Sequence, residues 1–205
     1  MFYNPDMESQ PSLFAEPEYS IVIGADEAGR GPLAGPVCAA AVVLPPDFPF
    51  ELLADSKQLS DKKRLIAEPV IKEKALAWAV AWASPREIDE INILQASMLA
   101  MKRAYLKVSQ QIAGLSGSRV LLVDGNRRPD VDIPCQAIVK GDATVHEIMA
   151  ASILAKNARD RFMVAASRVW PQYGFEKHKG YPCASHKAAL SVYGPCPIHR
   201  LTFRW

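Results

Sequence analysis

The clearest chemical signal in this sequence is a set of acidic residues placed where apolar, strand-like runs of residues stop. Charged side chains beside an apolar core are costly unless they are paired or bound to a cation. In an open α/β sheet, binding sites also assemble at strand ends. We therefore predict that these acids converge on one site, and they are Asp26, Glu27, Asp124 and Asp142.

A cluster of this kind predicts a divalent cation, because neighbouring carboxylates repel one another and resist ionisation until a cation neutralises them. Oxygen ligands without thiolate or imidazole favour Mg²⁺ or Mn²⁺ over Zn²⁺. Two such ions about 4 Å apart can activate an attacking water and stabilise a leaving oxygen. Taken singly, each acid is also explained as a turn residue or helix cap, above all Asp142 in Gly-Asp-Ala-Thr.

A glycine-rich loop, residues 29–35, follows the first two acids directly. A dinucleotide-binding turn would have to open a helix, but Pro32 intervenes and the next run is strand-like. Neighbouring acids would also repel a pyrophosphate. Two interpretations stay open: a structural turn, or a bare backbone edge that lets a nucleic-acid strand approach, with Arg30 contacting phosphate or sugar.

The elements that must position these residues follow from hydrophobic periodicity and from Gly and Pro breaks. Apolar residues at spacings of three and four predict a long helix after Ser84-Pro85. The predicted strands span 19–25, 36–44, 77–84, 120–123 and 137–140, and the predicted helices span 61–75, 86–111, 145–166 and 184–193.

Length and composition predict one globular domain in a reducing compartment. The 205 residues carry a net charge of only +2, so any nucleic-acid contacts must be local. Four scattered cysteines do not form a disulfide framework, and neither a signal peptide nor a membrane span is recognisable. We expect a cytoplasmic monomer with a disordered tail over 1–18 and a single domain over 19–205, whose residues from about 170 form a C-terminal extension.

Several further residues have two interpretations each. Two C-x₂-H pairs, at 183–186 and 196–199, can in principle hold zinc, but structural histidines and buried thiols are favoured. The pair His146-Glu147 lacks the second histidine of a zincin. Asp160 is expected to be structural. Basic residues that are candidates for phosphate contacts, or merely solvated, are Lys57, Lys140, Lys156 and the run Lys177, His178 and Lys179.

The string from Asp26 to Val37, DEAGRGPLAGPV, resembles the signature of bacterial ribonuclease HII. Weaker matches follow in the same order along the chain. They are Asp55-Ser56-Lys57 with Leu59-Ser60, Val123 to Asn126, Lys140 to Asp142, Ala150 to Lys156, Arg159-Asp160, His178 to Tyr181, and His199-Arg200. Gln58, where the family often has lysine, is a modest departure.

The resemblance implies the α/β ribonuclease H-like fold, with a central five-stranded mixed sheet, flanking helices and a small C-terminal helical extension. It implies that Asp26, Glu27, Asp124 and Asp142 are catalytic acids that bind Mn²⁺ or Mg²⁺. It also implies that Gly29, Arg30, Gly31 and Tyr181 sense a ribose 2′-hydroxyl, the group that distinguishes RNA from DNA. Lys57 joins them as a candidate phosphate contact.

We therefore expect an endonuclease for RNA–DNA hybrids and for DNA that contains ribonucleotides. It would cut on the 5′ side of a ribonucleotide and leave 5′-phosphate and 3′-hydroxyl ends. One alternative is a related ribonuclease H that needs a longer hybrid. The other is a non-catalytic nucleic-acid-binding module, which would be expected to lack one or more of the four acids, and all four are present.

Overall fold

A computed structural model describes residues 19–53 and 61–204 of the chain, and these residues contain one mixed sheet. Its strands are β1 (Ile21–Ala28), β2 (Val37–Val43), β3 (Ala77–Ala83), β4 (Arg119–Asp124) and β5 (Cys135–Ile138). The spatial order is β3-β2-β1-β4-β5. The pairs β1–β2 and β2–β3 are antiparallel, whereas β1–β4 and β4–β5 are parallel. The predicted five-stranded mixed sheet is confirmed.

Helices cover both faces of this sheet. They are α1 (Asp61–Lys74), α2 (Pro85–Gln111), α3 (His146–Val169), α4 (Phe175–His178) and α5 (Ala184–Tyr193), with short 3-10 turns at Phe50–Leu52, Gly141–Ala143 and Pro171–Tyr173. α2 packs on β2 and β3, and α3 packs on β1 and β2. No helix in the described ranges is long and apolar enough to cross a membrane.

β2 explains how one sheet supports two cores. Every residue of this strand is buried, because alternate side chains point to opposite faces and a helix covers each face. Ala39 and Ala41 belong to the core that α2 completes, while Cys38 and Ala40 belong to the core that α3 completes. This double burial accounts for the continuous apolar run that predicted the strand.

Local sequence signals fix where α2 and α3 begin. Ser84 caps α2 in a capping box with Glu87, and Pro85 occupies the first helical position. α3 begins against β1, where Gly24 leaves room for it. A Cβ on Gly24 would lie 2.2 Å from the carbonyl carbon of Glu147, so the first turn of α3 contacts the strand backbone directly.

The structure moves several predicted boundaries. β1 continues to Ala28, so Asp26 and Glu27 lie inside the strand and not after it. β5 begins at Cys135 and ends at Ile138, because Lys140 adopts a left-handed φ of 61° and the chain then enters a 3-10 turn. α3 extends to Val169, three residues beyond its predicted end.

The residues after α3 fold back onto the glycine loop. Tyr173, Phe175 and Leu190 form a third core cluster with Leu33 and Met163. A β-bridge also joins Ala34 to His199. The C-terminal helical extension therefore packs against the loop that follows β1. The domain limits assigned from sequence remain predictions, and the tail over 1–18 and the segment with Lys57 lie outside the described residues.

Candidate active site

The parallel pairing of β1 with β4 brings the first acids together. The register pairs Ala25 with Val123, so Asp26 and Asp124 are the next residues on the two neighbouring strands. Paired residues on adjacent strands point to the same face of a sheet. Two carboxylates that are 98 positions apart in the sequence thus lie side by side at the carboxyl ends of their strands.

Asp142 reaches the same place from the end of β5. The amide N–H of Gly125 donates to the Ile138 carbonyl at 3.0 Å, which ties the turn after β4 to the end of β5. The chain then bends through the 3-10 turn that contains Asp142. The Asp142 amide N–H donates to Oδ1 of Asp124 at 3.2 Å, so the two residues are in direct contact.

Glu27 lies next to Asp26 but has a different environment. Its amide N–H donates to Oδ1 of Asp26 at 2.7 Å, and its own Oε1 accepts from the Arg30 guanidinium at 3.1 Å. That ion pair is half exposed on the arginine side, so it adds little stability and leaves Glu27 able to turn toward a cation. The structure therefore brings all four predicted acids to one end of the sheet.

The electrostatics of this group favour a bound cation. Burial raises the pKa of Asp26 well above its usual range, the charges of Glu27 and Asp124 raise it further, and a hydrogen bond from Ser152 opposes them. Burial also raises the pKa of Glu27, against the attraction of Arg30. Because the charged forms are disfavoured, a cation that neutralised them would be bound with a large electrostatic gain.

The donor chemistry fits a hard divalent ion such as Mg²⁺ or Mn²⁺, since all four side chains offer carboxylate oxygens. Within the described ranges, no three His, Cys, Asp or Glu side chains are already close enough to form a metal centre. The four acids are therefore candidate ligands, and their roles at a metal remain a prediction from sequence.

A cavity of about 310 Å³ opens beside Glu27 and contains the predicted ribose-sensing residues. Gly29, Arg30 and Gly31 line one side and Tyr181 lines the other. A Cβ on Gly31 would lie 3.5 Å from ring carbon Cε1 of Tyr181, so the loop backbone and the ring face each other closely. The Tyr181 side chain is 45% exposed and accessible to a large ligand.

Some residues around this cavity carry no role in the sequence-based predictions. Ser152 on α3 bonds Asp26, and Arg159 lines the cavity floor. Both fall within strings that matched the family, which was the only signal available for them. Asp160, which is expected to be structural, accepts from Lys156 at 2.7 Å and lies 3.9 Å from Arg64.

In the C-terminal extension, Cys196, His199 and His186 form a hydrogen-bonded chain, whereas the Cys183 thiol lies 3.1 Å from the Ser185 hydroxyl, and the residues described there form no metal-binding group. The Cys196 amide N–H donates to Nδ1 of His199 at 2.9 Å. The Nε2 atoms of His199 and His186 lie 3.0 Å apart, and Nδ1 of His186 lies 3.0 Å from the Tyr181 carbonyl. Nδ1 of His199 lies nearer to the Cys196 amide than to the Cys196 carbonyl, at 3.3 Å, so we assign this nitrogen as the acceptor and Nε2 of His199 as the donor to His186.

The buried hydrogen bonds of His199 predict that the protein loses stability in mild acid. Burial lowers the pKa of His199 from 6.5 to about 4, and repulsion from His186 whenever that ring is protonated adds to the effect. The His199 imidazole therefore binds a proton near pH 6.5 in the unfolded protein, but only near pH 4 in the folded protein. Above pH 7, His199 is neutral in both states and does not lower the stability. As the pH drops from 6.5 to about 4, we expect its contribution to lower the free energy of unfolding by roughly 3 kcal/mol.

Urea unfolding between pH 4 and 8 measures this effect, and a comparison of variants isolates it. The raised pKa of Asp26 acts with the opposite sign, so the total slope mixes both groups. His199→Gln should flatten the slope between pH 4 and 6.5, whereas His146→Gln, at an exposed position, should leave it unchanged. Equal slopes for wild type and His199→Gln would contradict the assignment.

Comparison with solved structures identifies the fold. The PCNA:RNase HII complex from Archaeoglobus fulgidus aligns with a TM-score of 0.70 at 23% identity, covering 90% of this chain and 96% of that one. Ribonuclease H2 from Pyrococcus horikoshii OT3 aligns with a TM-score of 0.68 at 26% identity, covering 90% and 94%. Bst-RNase HIII in complex with Mn²⁺ aligns with a TM-score of 0.68 at 19% identity, covering 84% and 70%. The fold is that of the ribonuclease H-like endonucleases.

Sequence comparison then gives the family. A model described as Ribonuclease HII matches residues 23–205. A ribonuclease HII from Dechloromonas aromatica (strain RCB) is 55% identical over 185 residues, which cover 89% of this chain and 90% of that protein. One from Hyphomonas neptunium (strain ATCC 15444) is 52% identical over 194 residues, covering 90% and 94%. The chain belongs to the ribonuclease HII family, a family of metal-dependent endonucleases that act on RNA–DNA substrates.

Proposed function

We propose that this ribonuclease HII cuts on the 5′ side of a single ribonucleotide embedded in duplex DNA, as well as within longer hybrids. The observation that carries the proposal is the position of the cavity. Gly29, Gly31 and Tyr181 line it together with Glu27, which follows Asp26 directly. A ribose held between the loop and the ring would therefore place its neighbouring phosphate next to the carboxylates.

Each acid has a distinct part in this proposal. Asp26 and Asp124, on adjacent strands, would be the central ligands of two Mg²⁺ or Mn²⁺ ions, and Glu27 and Asp142 would complete the set of ligands. When bound, such a pair supplies an activated water and charge stabilisation for an in-line displacement at phosphorus. The expected products carry a 5′-phosphate and a 3′-hydroxyl, as the resemblance implies.

The protein contributes orientation and discrimination. The Glu27 amide fixes one oxygen of Asp26, and the Asp142 amide fixes one oxygen of Asp124, so both carboxylates are held before substrate arrives. The backbone of residues 29–31 is proposed to bond the 2′-hydroxyl while Tyr181 packs on the adjacent sugar. Lys57 is retained as a phosphate contact on sequence grounds alone. A monomeric state and a cytoplasmic location likewise remain predictions.

The decisive experiment uses duplex DNA with one internal ribonucleotide and a matched all-DNA duplex. We expect cleavage of the first, dependent on Mn²⁺ or Mg²⁺ and abolished by a chelator, and no cleavage of the second. End-labelled strands resolved to single nucleotides will place the cut on the 5′ side of the ribonucleotide.

A long RNA–DNA hybrid serves as the third substrate in the same assay. Cleavage of this hybrid without cleavage at a single ribonucleotide would reject the proposal in favour of a hybrid-specific ribonuclease H. Failure to cut any of the three substrates with either ion would reject catalysis by this site.

A further inference from the structure

Two buried arginines hold the glycine loop, and among the described residues their hydrogen bonds go to main-chain carbonyls and to no carboxylate. The side chains of Arg159 and Arg200 are 1% and 0% exposed. Burying a guanidinium is costly unless each of its donors is satisfied. Arg159 donates to the carbonyls of Pro36 at 3.1 Å, Lys179 at 3.1 Å and Ala34 at 3.0 Å. Arg200 donates to the carbonyls of Gly35 at 2.9 Å, Arg30 at 2.8 Å and Gly29 at 2.5 Å.

This pattern fixes the direction of two backbone donors. In a trans peptide the C=O of one residue and the N–H of the next point in opposite directions. Arg200 draws the carbonyls of Gly29 and Arg30 inward, so the N–H groups of Arg30 and Gly31 point away from it. Neither of these N–H groups donates to a main-chain carbonyl of another described residue. Both belong to the loop that lines the cavity facing Tyr181.

Arg159 secures the same geometry from the other side. A Cβ on Gly29 would lie 1.9 Å from Nε of Arg159, so the guanidinium packs against the loop backbone. Its bond to the Lys179 carbonyl links the loop to the segment that carries Tyr181. The two walls of the cavity are thereby joined through one side chain.

We propose that Arg200 is a positioning residue for ribose recognition: it aims the amide N–H groups of Arg30 and Gly31 at the oxygen of a 2′-hydroxyl. Its guanidinium fork is required, because only a planar group with divergent donors reaches Gly29, Arg30 and Gly35 together. A lysine ammonium carries its donors on one atom and cannot span these three carbonyls. This inference rests on the proposed function, since it assumes a ribose in the cavity.

The test compares Arg200→Lys with wild type on two quantities. One is KM for cleavage of duplex DNA with a single ribonucleotide. The other is the inhibition constant of the matched all-DNA duplex, which measures binding that does not involve the 2′-hydroxyl. We expect KM to rise at least tenfold, toward the inhibition constant, while the inhibition constant itself stays within twofold of wild type.

Arg119→Lys is the matched control. Arg119 also donates to two main-chain carbonyls, those of Ile112 and Leu115, but it lies at the start of β4, away from the cavity. This variant should leave the ratio of KM to the inhibition constant unchanged. If Arg200→Lys leaves that ratio unchanged, as it would if both constants rose in parallel because duplex binding as a whole is weakened, the inference is wrong. If wild type does not cut the single-ribonucleotide duplex, the proposed function itself fails.

A measurement on a protein with Arg200 intact covers the case in which Arg200→Lys does not fold. In ¹⁵N-labelled Asp124→Asn protein, used so that the strand stays uncut, the amides of Arg30 and Gly31 should shift on binding the ribonucleotide-containing duplex. The shift should be smaller with the all-DNA duplex. Identical amide spectra with both duplexes would overturn the inference.

Discussion

Asp124→Asn will reduce cleavage at least about a thousandfold, a loss equal to about 4 kcal/mol of transition-state stabilisation. Asparagine keeps the shape of the side chain and an oxygen that still accepts from the Asp142 amide. It removes the negative charge, and with it a proposed metal ligand next to Asp26. Initial rates on the single-ribonucleotide duplex, in Mn²⁺ and in Mg²⁺, measure the effect.

The free energy of unfolding of Asp124→Asn should not fall with its activity. Asp124 is one of the charges that raise the pKa of Asp26, so its neutralisation relieves repulsion within the site. We expect a free energy of unfolding equal to or above that of wild type, which separates a lost ligand from a lost fold. Asp130→Asn is the matched control, since Asp130 pairs with Lys102 at the surface and should keep full activity. An Asp124→Asn enzyme within tenfold of wild type would remove Asp124 from the catalytic set.

The second large effect is expected for Gly29→Ala. Gly29 has a φ of 98°, which side chains rarely adopt, and a Cβ would lie 1.9 Å from Nε of Arg159. That nitrogen cannot move aside, because its guanidinium is held by three carbonyls. We expect a loss of about 3 kcal/mol or more in the free energy of unfolding, together with loss of cleavage.

Urea unfolding and the single-ribonucleotide assay report on the two parts of this prediction. Gly114→Ala is the control, because a Cβ at Gly114 meets nothing within 4 Å and its φ is not positive. That substitution should change the unfolding free energy by a few tenths of a kcal/mol at most. Equal unfolding midpoints for Gly29→Ala and wild type would contradict the prediction, because they would show that the loop accommodates a Cβ at this position without loss of stability.

The arrangement of the strands and acids was predictable because its signals are local. The run into Asp26 is apolar and β-branched, and a strand that ends in carboxylates is unusual enough to point to a site. Parallel pairing of β1 with β4 then follows from the fold, and it brings Asp124 alongside. The end of β5 was less predictable, because its residues are only half-buried and Lys140 turns the chain with a conformation uncommon for lysine.

The roles of Arg159 and Arg200 were not predictable from sequence. Their partners are main-chain carbonyls, which every residue possesses, so no residue type marks the contact. The positions involved are 125 and 171 residues apart. Without coordinates, an arginine on a helix or near the end of a domain predicts a solvated charge, and burial of both is a finding of the structure.

The contact between Arg200 and Gly29 has a consequence for how the enzyme is made. Synthesis proceeds from the N-terminus, so the glycine loop leaves the ribosome long before residue 200 exists. β1 and its acids likewise wait for β4, since pairings that distant in sequence form slowly and close large loops of chain. On the role proposed for Arg200, the nascent polypeptide carries its carboxylates early and would gain its selectivity for ribose only after residue 200 has been added.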